Sequence, residues 1–120
     1  MRRADVLGLA LLLAGCGTAD GPVAIHTAAQ PILVCELARV SGTLVPDPTF
    51  GLALQNGADR RGATWPYGYT ARRSSGVVEL LDPSGRIIAR AGDLIVAAGG
   101  ATNSEFSVQC DIQVNPSPGT

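Results

Sequence analysis

No lysine occurs in this chain, and all nine basic side chains are arginine. A lysine nucleophile or Schiff base is therefore not available to it. Histidine is nearly as scarce. The single one, His26, lies in a stretch of small and polar residues where nothing would hold its geometry. No Ser-His-Asp or Cys-His set is expected to assemble around it. Zinc sites take three or four His, Cys or acidic ligands, and the chain beyond His26 has no further histidine. Charged residues make up 16% of the sequence and the formal net charge is −1. The basic excess that marks a nucleic-acid partner is thus missing. A sustained helical period is missing too, so no Gly-rich phosphate loop leads into a helix. These absences point away from an enzyme and from any resident cofactor or metal.

Glycine (15) and proline (8) are plentiful, which favours a turn-rich β protein of one domain. The N-terminus has a distinct composition. Met1-Arg2-Arg3 carries positive charge, residues 6–14 are an unbroken apolar or glycine run, and Leu13-Ala14-Gly15-Cys16 follows. The run is far short of the roughly 20 residues a spanning helix needs and reads as the core of a signal peptide over residues 1–15. The LAGC ending resembles the lipobox of bacterial lipoproteins. That resemblance implies that Cys16 receives a diacylglycerol and becomes the first residue of the mature protein. Asp5 departs slightly from the pattern by offsetting one arginine. The alternative is an ordinary apolar strand that happens to end in Cys. With the lipobox, the expected location is the cell membrane or outer membrane, held by lipid and facing outside the cytoplasm.

Three cysteines in an exported chain leave an odd one. If the lipobox takes Cys16, then Cys35 and Cys110 remain, in a compartment where disulfides persist. Such a bond would close most of the domain into one loop and stabilise it by about 4 kcal/mol in the chain-entropy model. Two free thiols, or a two-Cys metal site short of ligands, are the alternatives.

Residues 16–31 read as the lipidated Cys and a flexible tether, residues 32–114 as the domain, and residues 115–120 as a disordered tail. Within the domain, the aliphatic run from Ile32 past Gly42 is one long bent strand or two strands. The prolines of residues 46–51 mark a turn. A short strand then ends at Asn56-Gly57, a hairpin dipeptide, with residues 58–63 continuing the turn. Residues 77–81 and 86–90 are strands around Asp82-Pro83-Ser84-Gly85, which fits a type I turn. Residues 94–97 form a further strand closed by Gly99-Gly100. From 105 to 114 the pattern alternates, with Phe106, Val108, Cys110, Ile112 and Val114 on one face. About six short strands and no helix predict a small OB-like or SH3-like barrel.

The motifs WPYGY (65–69), VVELLDPSGRIIARAGD (77–93) and the pair Gly99-Gly100 resemble a domain of small bacterial lipoproteins and secreted proteins. The resemblance implies a β-barrel body on a lipid anchor and brings no enzymatic activity. Trp65, Tyr67, Tyr69, Arg72 and Arg73 are then either a packed corner or a ligand face. Packing is the favoured reading, with the indole N–H bonded to backbone; stacking on sugar rings is the ligand mode that fits best. The expected function is a non-catalytic binding or accessory module of the envelope, with a protein or glycan as partner. The alternative is a structural subunit that docks a larger envelope complex.

Overall fold

The computed structural model describes residues 19–116, and no helix forms among them. Ten strands follow in order: β1 (Gly21–Val23), β2 (His26–Thr27), β3 (Ala38–Asp47), β4 (Gly51–Asn56), β5 (Asp59–Trp65), β6 (Thr70–Ser74), β7 (Val77–Leu81), β8 (Ile87–Arg90), β9 (Leu94–Ala101) and β10 (Glu105–Asn115). The all-β class read from the sequence holds. Four strands form a small antiparallel sheet in the order β1-β6-β7-β8, and six form a larger one in the order β10-β9-β3-β4-β5-β2. In the larger sheet β10 also pairs in parallel with β5, through Phe106 opposite Ala63. Hydrogen bonding therefore returns on itself through β3, β4, β5, β10 and β9.

One core serves both sheets. Val40, Leu44, Leu52, Leu54, Trp65, Ile95, Phe106 and Val108 from the larger sheet pack with Ala71, Val78, Leu80 and Ala89 from the smaller. The alternation read in 105–114 places Phe106 and Val108 inward as expected. Two register shifts against β9, on either side of Cys110, bulge this strand, and Asp111 takes a φ of 54° there. The Asp82 turn forms as its sequence dictates: Gly85 N–H donates to the Asp82 carbonyl at 2.9 Å, while the Asp82 carboxylate accepts from Ser84 and Arg86 N–H. Ser75 and Gly76, with φ of 51° and 81°, make the two-residue turn between β6 and β7.

Several expectations need correction. Residues 21–27, read as tether, lie in both sheets: β1 pairs with β6, and β2 pairs in parallel with β5 at Thr64 and Trp65. Strands of two or three residues are too short for periodicity to register, yet each covers an edge left open by the longer strands. Residues 32–37, read as the opening strand, are irregular and largely exposed. Pairing with β9 starts only at Ala38 opposite Gly99. Before that point the chain is drawn across β10, where Glu36 N–H donates to Gln109 Oε1 at 2.8 Å. Residues 59–63, read as turn, belong to β5, because the two-residue turn is Gly57-Ala58 between the paired Asn56 and Asp59. Gly99 and Gly100 lie inside β9 instead of ending it. A Cβ at Gly99 would collide with the Ser107 carbonyl oxygen, so bare backbone is required where β10 bulges.

Candidate functional site

The aromatic corner separates into a core residue and a rim. Trp65 ends β5 with no solvent exposure and packs in the core. Its indole N–H, expected to bond backbone, is buried without a hydrogen-bond partner. Tyr67 stands on the turn after it, 52% exposed. Tyr69 packs partly against the core, and burial, with the Asp82 charge, pushes its phenol up from the ordinary value. The five predicted residues therefore make no continuous aromatic ledge.

The arginine pair lies on β6 and so points to opposite faces. Arg72 is the end of a three-residue ladder across the small sheet, because it stands opposite Glu79 and Glu79 opposite Arg90. Arg72 Nε donates to Glu79 Oε1 at 2.9 Å, and Arg90 Nε to Oε2 at 3.0 Å. The Glu79 side chain is only 8% exposed. The hydrogen bond from Arg72 foremost, with that from Arg90, holds its carboxyl below the usual range against the opposing effect of burial. Each carboxylate oxygen is met by a cation, so this cluster reads as a structural clamp. Arg73 turns the other way and borders an open cleft between the two sheets, with Val23, Pro46, Asp47 and Gly51.

A different surface gathers aromatic and polar groups, with His26 and Arg60 exposed and Phe50 partly buried. Gly62 sits in mid-strand on β5, and a Cβ there would fall within the Phe50 ring, so Phe50 lies flat against bare backbone. The His26 imidazole stacks on Phe50 with ring centroids 4.4 Å apart and an interplanar angle of 36°. The loop carrying Phe50 is held by Asp47, whose carboxylate accepts from Thr49 and Phe50 N–H at 2.9 and 2.8 Å. Arg60 reaches Asp47 at 3.8 Å and Gln55 Oε1 at 3.2 Å. The result is a two-ring platform rimmed by a guanidinium, a carboxylate and an amide. In the sequence His26 sits among small and polar residues that look like a tether, which hides this surface. The available signal was Gly62, since a lone glycine inside a strand marks a close approach.

Cys35 and Cys110 are joined in a disulfide with Cα atoms 6.3 Å apart. Cys16 lies outside the described residues. Among the described residues no three His, Cys, Asp or Glu side chains gather as a metal site. Compared with family models, curated proteins and solved structures, the chain matches none.

Proposed function

We propose that this chain is a lipid-anchored, extracytoplasmic binding module that carries no catalytic machinery. Its body is an OB-like barrel. The cycle β3-β4-β5-β10-β9, closed by a parallel pair between β5 and β10, the third and fifth of these strands in chain order, supports that topology. The Cys35–Cys110 bond supports export, because disulfides persist in oxidising compartments. It also leaves Cys16 as the one cysteine for the lipobox.

The binding surface is the His26–Phe50 platform on the outer face of β5. The His26 ring stacked on Phe50, which itself lies on Gly62, is the observation that carries this reading. In OB-type barrels the face of the second and third strands, with the loop between the first and second, binds oligonucleotides or oligosaccharides. Here those elements are β4, β5 and the loop bearing Phe50. The net charge of −1 and the pairing of Arg60 with Asp47 leave little to attract a phosphate chain, so a glycan of the envelope is the ligand class. The imidazole face stacked over Phe50 and a rim of hydrogen-bonding groups suit a sugar, which offers both C–H faces and hydroxyls. Co-sedimentation with purified cell-wall glycan tests it. The unsubstituted chain should be retained. His26→Ala, an exposed change in a two-residue strand, should lose about tenfold in affinity while keeping its melting temperature. Equal retention of both proteins would refute the platform.

A further inference from the structure

The outer face of the larger sheet continues past the platform. Ala63 and Trp65 are buried, so the alternate residues of β5, Gly62 and Thr64, face outward. Phe106 and Val108 turn Glu105 and Ser107 outward on β10 in the same way. Register joins the two strands, with Gly62 opposite Glu105 and Thr64 opposite Ser107. Thr64 stands opposite His26 as well, and Ser107 opposite Gly100 of β9. His26, Thr64, Ser107 and Gly100 thus form one row across four neighbouring strands, with Phe50 seated on Gly62 beside it. Beyond Thr64 the row opens into a hollow of about 460 Å³, walled by Glu36, Thr102, Glu105 and Gln109. Its polar groups are fixed in place. Gln109 Nε2 donates to Glu36 Oε1 and to Ser107 Oγ, both at 3.2 Å, while Gln109 Oε1 accepts from Glu36 N–H at 2.8 Å. Thr64 Oγ1 donates to Glu105 Oε1 at 3.2 Å. Both amide protons of Gln109 and the Thr64 hydroxyl proton are therefore used within this network. Among the described residues no cation pairs with Glu36 or Glu105, and the second oxygen of each carboxylate has no protein donor.

We infer that this hollow is a second sugar subsite, so that the ligand is a glycan of at least two rings. One ring lies on the His26–Phe50 platform and the next above Ser107 and Gly100. The inference rests on the proposed binding of a glycan by the platform. His26 and Ser107 are two strand spacings apart, about 10 Å, a step that two linked rings span. The open acceptors select the chemistry. A sugar ring carries several hydroxyl donors, and a hydroxyl bonded to a carboxylate oxygen makes one of the stronger hydrogen bonds. An anionic ring would meet two like charges instead. No aromatic side chain lines the hollow, so it holds its ring by hydrogen bonds where the platform holds one by stacking. Bare backbone at Gly100 keeps this arrangement, because a Cβ there would run into Glu36 Oε1 and push that carboxylate from the wall.

Competition by sized fragments tests this. The full chain is loaded on purified cell-wall glycan and displaced by fragments of one to four rings, cut from the same glycan and separated by gel filtration. Two-ring fragments should compete about tenfold better than single rings, the worth of one hydrogen bond to a charged group. Ser107→Leu fills the hollow and should bring the longer fragments down to the single-ring level. Glu105→Gln keeps the shape of the wall, removes its charge and should lose most of the same gain. It carries the test if Ser107→Leu lowers the melting temperature. Equal competition by one and two rings overturns the second subsite and leaves the platform standing. A gain with length that survives the substitutions puts the second ring elsewhere and also overturns it. A chain that the glycan does not retain, or whose retention is indifferent to His26→Ala, overturns the platform and the subsite together.

Discussion

Trp65 is the largest fully buried side chain, and at the end of β5 it packs in the core that both sheets share. Trp65→Ala should therefore cost on the order of 3–5 kcal/mol, close to the whole stability of a small domain. Urea unfolding followed by circular dichroism measures it. Because the indole N–H has no partner, Trp65→Phe removes an unsatisfied donor along with some volume. Its cost should be well below that of alanine, about 1–2 kcal/mol. Glu79 sets a pH dependence of definite sign. Its carboxyl titrates lower in the folded than in the unfolded chain, so the unfolded chain binds the proton more tightly. The stability from the ladder is complete above the unfolded value, near 4.5, and is lost as pH falls through the lower folded value. Glu79→Gln should cost on the order of 1–2 kcal/mol at neutral pH, a modest figure because both arginines are about half exposed. The gap to the unsubstituted protein should close in acid. Asp82, lowered foremost by the Ser84 hydroxyl, leaves some acid sensitivity behind.

At the scale of elements, glycines decide where backbones and rings can meet. Gly62→Ala places a methyl group where the Phe50 ring lies, so the ring must swing off β5. The loop can yield because Asp47 holds it through backbone N–H groups alone, and the stability cost should be only about 1 kcal/mol. Glycan retention, however, should vanish along with the His26 stack. Melting temperature and co-sedimentation on the same sample separate the two effects. Gly99→Ala should behave differently, since it meets the Ser107 carbonyl, which is backbone held in the β9–β10 pairing. Its expected cost is larger, about 2–3 kcal/mol, with no selective effect on the platform.

For the whole molecule, the disulfide ties the segment before β3 to the last strand and closes most of the chain into one loop. Cys110→Ser should lower stability by a few kcal/mol, up to about 4, read as a fall in melting temperature. Alkylation followed by mass spectrometry should find no free Cys35 or Cys110 in the unsubstituted protein. Cys16→Ala should abolish labelling by a fatty-acid probe and leave either an uncleaved precursor or released soluble protein. Label retained in that variant would remove the anchor from the proposal. The platform and the exposed segment lie toward opposite ends of β3, since Phe50 follows its last residue and Leu37 precedes its first.

Local signals determined much of this protein. The alternation of 105–114, the Asp-Pro-Ser-Gly turn and the lack of any helical period led to an all-β domain with a hairpin at 77–90. Cysteine arithmetic led to the Cys35–Cys110 pair. Each depends on neighbours in the chain or on counting, so each was legible. Residues 21–27 and 32–37 were read the wrong way round, and composition explains why. Pro22 and His26 look like linker residues, while an aliphatic run such as Ile32-Leu33-Val34 looks like a buried strand. Which of them is ordered depends on which sheet edges lie open, and only the assembled sheets set that. The same holds for the site. Nothing near His26 in sequence announces Phe50 as its partner, or Gly62 as the floor beneath the Phe50 ring. Those three residues meet because β2 continues along β5 past the point where β4 begins. Trp65 and Tyr67, two positions apart, part company for an equally tertiary reason. The strand carries one into the core, and the turn that follows lifts the other to the rim.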